Sequence, residues 1–338
     1  MSSLPLWMVA LAVVVALGLD RRWGEPPLRW HPVAWMGHYL MWVGDRIAPP
    51  VTASSSDAMD QRAFGLGAAT WLAGAMFTTA LGWGLQTAVM QTFDVSMAFI
   101  MQVLLLGVLL KPMLAWRMLT QEVQAVEIAL QNGLAQGRER LRWICSRDTD
   151  ALSEEQVRET AVESLAENLN DSVVAPVFWF VCFGLPGAVL YRFANTADAM
   201  WGYRGERGGR IWTWAGKWAA HADDVLSWLP ARMTAFALML VSGCTQWRDL
   251  RTQAHQTPSP NSGWPMAAMA LSLNVRLGKP GVYVLHPNGL AASGDDVHRA
   301  CAAADRTVMA LVVALMVALL IDGALLTGCA LWAGRRYV

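Results

Sequence analysis

Between Ser153 and Ser172 the chain places carboxylates at a fixed interval. Glu155, Glu159, Glu163, Glu167 and Asp171 recur every four residues. On an α-helix that interval makes one slowly drifting stripe. Val157, Ala161, Leu165 and Leu169 recur at the same interval, two residues out of phase, and fall on the opposite face. Ser153 with Gln156 has the spacing of a capping box, so a helix is expected to start here. The plain alternative is the solvated face of an amphipathic helix. Two features speak for chemistry instead. The stripe has only Arg158 nearby and no Lys partners at i,i+4. It also runs straight into the apolar Val173-Val174-Ala175-Pro176. Carboxylates delivered to a membrane boundary suit metal or phosphate chemistry.

Four other constellations stand out. Asn195 and Asp198 share a helix face and are oxygen donors suited to Mg²⁺; a helix cap would use the same residues. Asp223-Asp224 precede Trp228, Pro230 and Arg232; they suit a cation or an ordinary solvated loop. Pro258–Pro265 is a turn-rich loop that can offer backbone N–H groups to an anion, or simply lead into the next helix. The opening contains Asp20, Gly24-Glu25-Pro26 and His31-Pro32-Val33, where a single His before Pro reads first as structural. There is no Walker A loop, because Gly216-Lys217 is followed by Trp218 and Ile211 stands where the first Gly belongs. No dinucleotide fingerprint, nucleophile elbow or H-E-x-x-H is present either.

The elements that must carry these residues are set by composition. The 338 residues are 55% hydrophobic and 15% charged, with 26 basic and 26 acidic side chains. Disorder is excluded by the hydrophobicity, and nucleic-acid binding is disfavoured by the lack of basic excess. Five scattered Cys with no CxxC pair make neither a disulfide framework nor a zinc site. Uncharged runs cover Met1–Leu19, Ala63–Phe93, Val95–Leu110, Ser172–Tyr191, Met233–Trp247 and Thr307–Ile321. A span needs roughly 20 apolar residues. The expected architecture is an all-α, polytopic helical membrane protein. It has about five or six apolar helices, near 4–19, 63–93, 95–116, 172–191, 233–247 and 307–334, with a turn near Asp94. Long, partly helical polar segments, 20–62, 117–171, 192–232 and 248–306, would carry the chemistry of a single domain, 1–338. The first stretch reads as a retained helix rather than a cleaved signal, since no basic region precedes it.

The basic residues raise a conflict. They occupy every polar segment, whereas simple alternation would put some of those segments outside, against the positive-inside rule. At least one apolar run should therefore not cross. Ser172–Tyr191 is the best candidate, because Pro176, Gly184, Pro186 and Gly187 interrupt it; a re-entrant or cavity-lining segment is expected there.

Taken in order, these motifs resemble the adenosylcobinamide-phosphate synthases of cobalamin biosynthesis, the CobD/CbiB family. Asp20…Gly24-Glu25-Pro26…His31-Pro32-Val33 looks like the family's opening, with Glu25 where Asp is more frequent. Arg147-Asp148-Thr149 resembles G-R-D-T, with Ser146 in place of Gly. Glu163-Ser164-Leu165-Ala166-Glu167-Asn168 with Asp171 and Val173–Pro176 resembles E-S-x-A-E-N-x-x-D-x-V-x-A-P, with Ser172 where Gly is common. Asn195-Thr196-Ala197-Asp198-Ala199-Met200 with Gly202-Tyr203 resembles N-T-x-D-S-M-x-G-Y. Asp223-Asp224…Pro230-Ala231-Arg232 resembles D-D-x-x-x-x-x-P-A-R, with His221 where Arg is frequent. Ser259–Ala267 resembles S-P-N-A-G-W-P-M-A, and Asp296…Arg299-Ala300 a late D-I-x-R-A element. The matches cover most of the chain.

The resemblance implies a multi-pass protein of the bacterial inner membrane with its reaction on the cytoplasmic side. It implies ATP-dependent amide formation between the propionate carboxylate of adenosylcobyric acid and the amine of aminopropanol or its phosphate, with ATP and Mg²⁺ required. Glu163, Glu167, Asp171 and Asp198 are then the expected catalytic carboxylates. Glu167, Asp171, Asp198, Asp223 and Asp224 are the expected Mg²⁺ ligands. Asn168, Asn195, Arg147, Arg204, Arg232, Asn261 and Gly263 would contact phosphate or corrinoid. Spacing leaves the division of labour among them open. The 18 Trp suit membrane interfaces first, though Trp201, Trp228 and Trp264 lie inside motifs where an indole can pack on a corrin ring. Two other classes stay open: a corrinoid transporter, and a non-catalytic scaffold for other late cobalamin-pathway enzymes.

Overall fold

A computed structural model describes residues 4–51, 59–92 and 98–334. Thirteen α-helices hold most of the described residues: α1 (Leu6–Trp23), α2 (Pro32–Ile47), α3 (Gln61–Thr92), α4 (Ala98–Leu110), α5 (Trp116–Asn132), α6 (Leu134–Leu141), α7 (Glu154–Leu169), α8 (Ala175–Phe183), α9 (Leu185–Trp201), α10 (Lys217–Val241), α11 (Trp247–Ala254), α12 (Gly263–Leu273) and α13 (Gly294–Gly334). Two small antiparallel hairpins, β1–β2 (Glu206–Arg207 and Arg210–Ile211) and β3–β4 (Leu277–Lys279 and Tyr283–Leu285), are loop ornaments. Gln61–Thr92, Phe99–Asn132, Lys217–Val241 and Gly294–Ile321 are long and apolar enough to cross a membrane, so the fold is that of an all-α membrane protein. The turn expected near Asp94 lies outside the described residues.

Contacts order the long helices. Trp7 lies 4.5 Å from Phe99, and Lys111 reaches Asp20 at 3.4 Å, so α1 and α4 run parallel. Arg21 pairs with Asp305 at 3.3 Å, while Val13 and Leu17 share a cleft with Val308, Leu311 and Leu315. Helix α13 therefore returns antiparallel to α1. Helix α3 runs back along α9: Gly74 faces Phe193, and a Cβ on Gly82 would lie 3.1 Å from Pro186 Cα. The two glycines set how closely these helices approach.

The run Ser172–Tyr191 forms a helical hairpin. Helix α8 has nine residues, about 14 Å of rise, far short of a membrane's hydrocarbon thickness. It ends at Gly184, whose φ of 71° is open to glycine at little cost. Helix α9 then returns the chain to the side it left. A helix start in an apolar setting leaves N–H groups without partners. Here Gln86 Oε1 of α3 accepts from Leu185 N at 2.8 Å.

Helix α10 differs from its expected position. An apolar helix near 233–247 was anticipated; the observed one starts at Lys217 and stops at Val241. Its first turn packs under Trp201 through Gly216, and its last residue lines a cleft with Arg299 and Arg306 at the start of α13. Both ends thus sit on the side where α1 and α4 finish. Helix α10 is long and apolar enough to cross a membrane, and Pro230 stands inside it. The α8–α9 hairpin agrees with the interruption expected within Ser172–Tyr191.

Candidate active site

Helix α7 is the scaffold of the site, and it is no surface helix. Its capping box forms as the spacing requires: Ser153 Oγ accepts from Gln156 N, and Gln156 Oε1 accepts from Ser153 N. Val157, Ala161, Leu165 and Leu169 are buried, but so are Glu159 and Glu163 on the acidic stripe. Distant cations supply the partners that were missing locally. Arg276, beside β3, reaches Glu159 at 3.1 Å, and Arg147 reaches Glu163 at 2.8 Å. Arg158 is turned away and grips Glu127 of α5 with two hydrogen bonds of 2.8 and 3.1 Å. The solvated-face reading therefore fails. The stripe instead divides into a paired half, Glu155 to Glu163, and a half without ion pairs among the described residues, Glu167 and Asp171.

The unpaired half meets carboxylates from other elements. Residues Asn170–Val174 form a π-turn between α7 and α8, an irregularity common at functional sites. It aims Asp171 at the start of a hydrogen-bond chain. Tyr191 OH donates to Asp171 Oδ1 at 3.4 Å and contacts Ser227 Oγ at 3.1 Å; Ser227 in turn donates to Asp223 Oδ2 at 3.4 Å. Asn195 Nδ2 donates to the other oxygen of Asp223 at 3.4 Å. Asn170 closes the far end, donating to Asp171 Oδ1 at 2.8 Å and accepting from Thr234 Oγ1 at 3.2 Å. Tyr191, Ser227, Asn170 and Thr234 carried no signal in the sequence, since lone polar residues in apolar runs have no spacing to read.

Electrostatics marks the same cluster. Burial pushes the Glu167 carboxyl up to about 8, with Asp171 and Glu163 adding like-charge repulsion. Burial, with Asp171 and Asp224 nearby, pushes Asp198 up to about 6. Glu163 is also raised by burial, against the pull of Arg147. The structure thus brings Glu163, Glu167, Asp171, Asp198, Asn195, Asp223 and Asp224 into one neighbourhood from α7, the π-turn, α9 and α10.

The remaining candidates are placed differently. Arg147 is fully engaged, donating to Glu163, to Thr160 Oγ1 at 3.0 Å and to Gly278 O at 3.3 Å. Arg232 stacks between the Trp228 and Trp264 rings, 4.3 and 4.7 Å from their centroids, and donates to Asn261 Oδ1. Asn261 is a bracket, since its Nδ2 also donates to Asp224 O at 2.7 Å. Gly263 lies against Ala254 O, where no side chain fits. Asn168 donates to Ser164 O within its own helix. Arg204 is exposed and has no ion pair among the described residues. Trp201 is buried and donates to Leu40 O, so it is closed to a ligand; Trp228 is exposed.

The opening motif packs beside this cluster. Glu25 Oε2 lies 2.8 Å from His31 Nε2 and 3.0 Å from Lys111 Nζ, and Lys111 also faces the fully buried Asp20. His31 caps α2 with Nδ1, accepting from Val33 N at 3.2 Å. That fixes Nε2 as the protonated nitrogen, which donates to Glu25. The His is structural, as its place before Pro suggests. It fastens the α1–α2 loop to the end of α4.

A divalent cation can be tested against these donors. The carboxylates supply hard oxygen ligands and are half-buried. Among the described residues, however, no three acidic, His or Cys side chains stand close enough to form a cage. Mg²⁺ is commonly held by one or two carboxylates with substrate phosphates completing its shell. The donor set fits that mode, with Glu167, Asp171, Asp198 and Asp223 as the available oxygens.

Comparison with known proteins agrees with the motif order. The family described as CobD/Cbib protein matches residues 13–321. A Chromobacterium violaceum protein named cobalamin biosynthesis protein CobD is 42% identical over 271 residues, covering 80% of this chain and 81% of its own. A Methanothermobacter thermautotrophicus protein named probable cobalamin biosynthesis protein CobD is 35% identical, covering 81% and 85%. A Brucella suis protein named cobalamin biosynthesis protein CobD is 34% identical, covering 81% and 83%. No solved structure matches. A family match over most of the chain, with relatives this similar along most of their own length, settles the lineage: the chain belongs to the CobD/CbiB family.

Proposed function

We propose that the protein is a cobalamin-pathway ligase. It joins the propionate carboxylate of adenosylcobyric acid to the amine of aminopropanol, or of its phosphate, with cleavage of ATP. The observation that carries this reading is the convergence of unpaired, half-buried carboxylates, Glu167, Asp171, Asp198 and Asp223, at one place. The names of the relatives support the pathway.

A carboxylate does not accept an amine directly, because oxide cannot leave. Transfer of the terminal phosphoryl group of ATP to a carboxylate oxygen gives an acyl phosphate and ADP. Attack of the amine on the acyl carbon then expels phosphate, and the ammonium proton must go to a base. Glu167, with its carboxyl raised to about 8, readily holds a proton near neutral pH and suits that base. One or two of Asp171, Asp198 and Asp223 would hold Mg²⁺ together with substrate phosphates, and the ion would neutralise phosphate charge when bound. The paired residues Arg147 and Glu163 keep α7 in position.

The test is a reconstituted assay of the purified protein with adenosylcobyric acid, ATP, Mg²⁺ and aminopropanol phosphate. Amide product with matched ADP release is expected, and Glu167→Gln and Asp171→Asn each lower turnover at least a hundredfold. Near-wild-type turnover in both variants defeats the assignment of the carboxylates. Corrinoid flux across vesicles without product identifies a transporter, and no product from the protein alone identifies a scaffold.

A further inference from the structure

We propose that Arg192 is a receptor for a phosphoryl group, gripping two of its oxygens with the Nε–Nη2 edge of the guanidinium. Arg192 lies on α9, between the opening cluster and the carboxylates. Its Nη1 is fixed by two acceptors, Asp171 O at 3.2 Å and Ser172 Oγ at 3.0 Å. Nε is buried and has no partner among the described residues. Among the described residues no carboxylate comes within ion-pair distance of the side chain, unlike Arg147, Arg158 and Arg276. The two nearby acids are engaged elsewhere. Glu25 is held between His31 and Lys111, and the Asp171 carboxylate accepts from Asn170 and Tyr191.

A guanidinium withdrawn from water without an anion is unfavourable, and such charges are ordinarily paired. Here the pairing edge is left open while the other edge is oriented. The side-on edge of arginine matches two oxygens of a phosphate or carboxylate. A phosphoryl group suits this position better, because its third oxygen can face a cation held by the adjoining carboxylates. The π-turn makes the arrangement possible by turning the Asp171 carbonyl toward Arg192. Ser172 adds the second acceptor.

The phosphoryl group has two chemical sources, a nucleoside triphosphate or the phosphate ester of a small amino alcohol. Only that choice depends on the ligase reading. The test therefore measures binding, not turnover, on the full-length protein in detergent. Inorganic phosphate, ATP, aminopropanol phosphate and unphosphorylated aminopropanol are titrated against wild type, Arg192→Met and Arg192→Lys, with thermal unfolding and calorimetry as readouts. Phosphate should raise the wild-type midpoint and leave that of Arg192→Met unchanged. Without phosphate, Arg192→Met should be as stable as wild type or more so, since it removes an unpaired charge. Affinity for either ATP or aminopropanol phosphate should fall at least tenfold in Arg192→Met, and the ligand affected names the source. Arg192→Lys should recover part of that loss. Unchanged phosphate affinity in Arg192→Met overturns the proposal. Failure of both variants to fold overturns it as well, because it makes Arg192 a brace for the π-turn. Phosphate binding that depends on Arg192 without amide formation leaves the inference standing and removes the ligase reading.

Discussion

Arg147 decides between two roles, phosphate grip and clamp on Glu163, and a double-mutant cycle separates them. The pair is 2.8 Å apart, with side-chain exposures of 15% and 2%. Coulomb's law at an effective dielectric of about 20 gives roughly 6 kcal/mol at that distance. Removing one partner of a buried pair costs about 3–5 kcal/mol, because the other charge is stranded. Arg147→Met should therefore lower the unfolding midpoint by on the order of 5–10 °C for a protein of this size. Adding Glu163→Gln removes the stranded charge, so the double variant should be more stable than Arg147→Met alone. A coupling of about 2 kcal/mol or more is expected. The pH dependence gives a second check. Glu163 is already raised above 4.5 by burial, and losing Arg147 raises it further. The deficit of Arg147→Met is then largest at alkaline pH and shrinks as pH falls toward 4.5, where the carboxyl takes up a proton. The assay is thermal unfolding in detergent at pH 5 and pH 8, with turnover followed in parallel. Strict additivity of the two substitutions, with a pH-independent deficit, would refute the clamp. Turnover that dies in Arg147→Met and shows no recovery in a restabilised double variant would return Arg147 to the phosphate.

Three further outcomes follow from named contacts. Glu167→Gln should stabilise the metal-free protein in a defined window. The wild-type carboxyl moves from 4.5 to about 8, so its ionisation penalty is absent below pH 4.5, grows up to pH 8 and is then constant. The gain is at most about 5 kcal/mol, and an unfolding-midpoint difference that is the same at pH 5 and pH 9 contradicts it. Gln86→Leu strands the Leu185 N–H at the tip of the hairpin and should cost about 1–3 kcal/mol; an unchanged midpoint shows that another acceptor is within reach. Glu127→Gln removes the charge and one of the two bonds from Arg158 and should cost about 3–5 kcal/mol, with Arg158→Met less harmful in a Glu127→Gln background than alone.

The helices and their caps were legible because their signals are local. Ser153 with Gln156 announces the start of α7, and Gly184-Leu185-Pro186-Gly187 announces a break, three to four residues at a time. The partners of the acidic stripe were not legible. Arg276 and Arg147 reach Glu159 and Glu163 from more than one hundred and from sixteen positions away, and no periodicity reports such pairings. The course of α10 was hidden for a related reason. Hydropathy records how much apolar surface a helix carries, and it is silent on where the helix begins and ends; Val225, Phe236 and Leu240 of α10 are exposed. Its buried Ala231, Thr234, Ala235 and Leu238 sit under neighbouring helices. The family motifs pointed to Arg147, Arg232 and Asn261 as ligand contacts; the geometry shows that each also holds neighbouring groups. Arg192, outside those motifs, has a buried Nε with no partner among the described residues and no ion pair.

The division of the acidic stripe has a physical logic. From Glu159 onward each carboxylate along α7 is withdrawn from water, so each must be paired, protonated or supplied with a cation. At the outer end, loops that fold back over α7 bring arginines, and Glu159 and Glu163 are paired. Toward the π-turn the neighbours are α8, α9 and α10, whose facing residues are mostly apolar, amide or acidic. Arg192 is the cation at hand, and it spends its bonds on a carbonyl and a hydroxyl. Glu167 is therefore left to hold a proton near neutral pH. A proton on Glu167, acids at Asp171, Asp198 and Asp223, and a free guanidinium edge make a site that is incomplete alone. The acids call for a cation and the guanidinium for an anion, and a phosphate carrying a divalent ion meets both demands at once. Binding of the two should then be cooperative, each strengthening the other by the same factor. Independent binding of phosphate and Mg²⁺ to the wild-type protein would show that the two halves of the site do not work together.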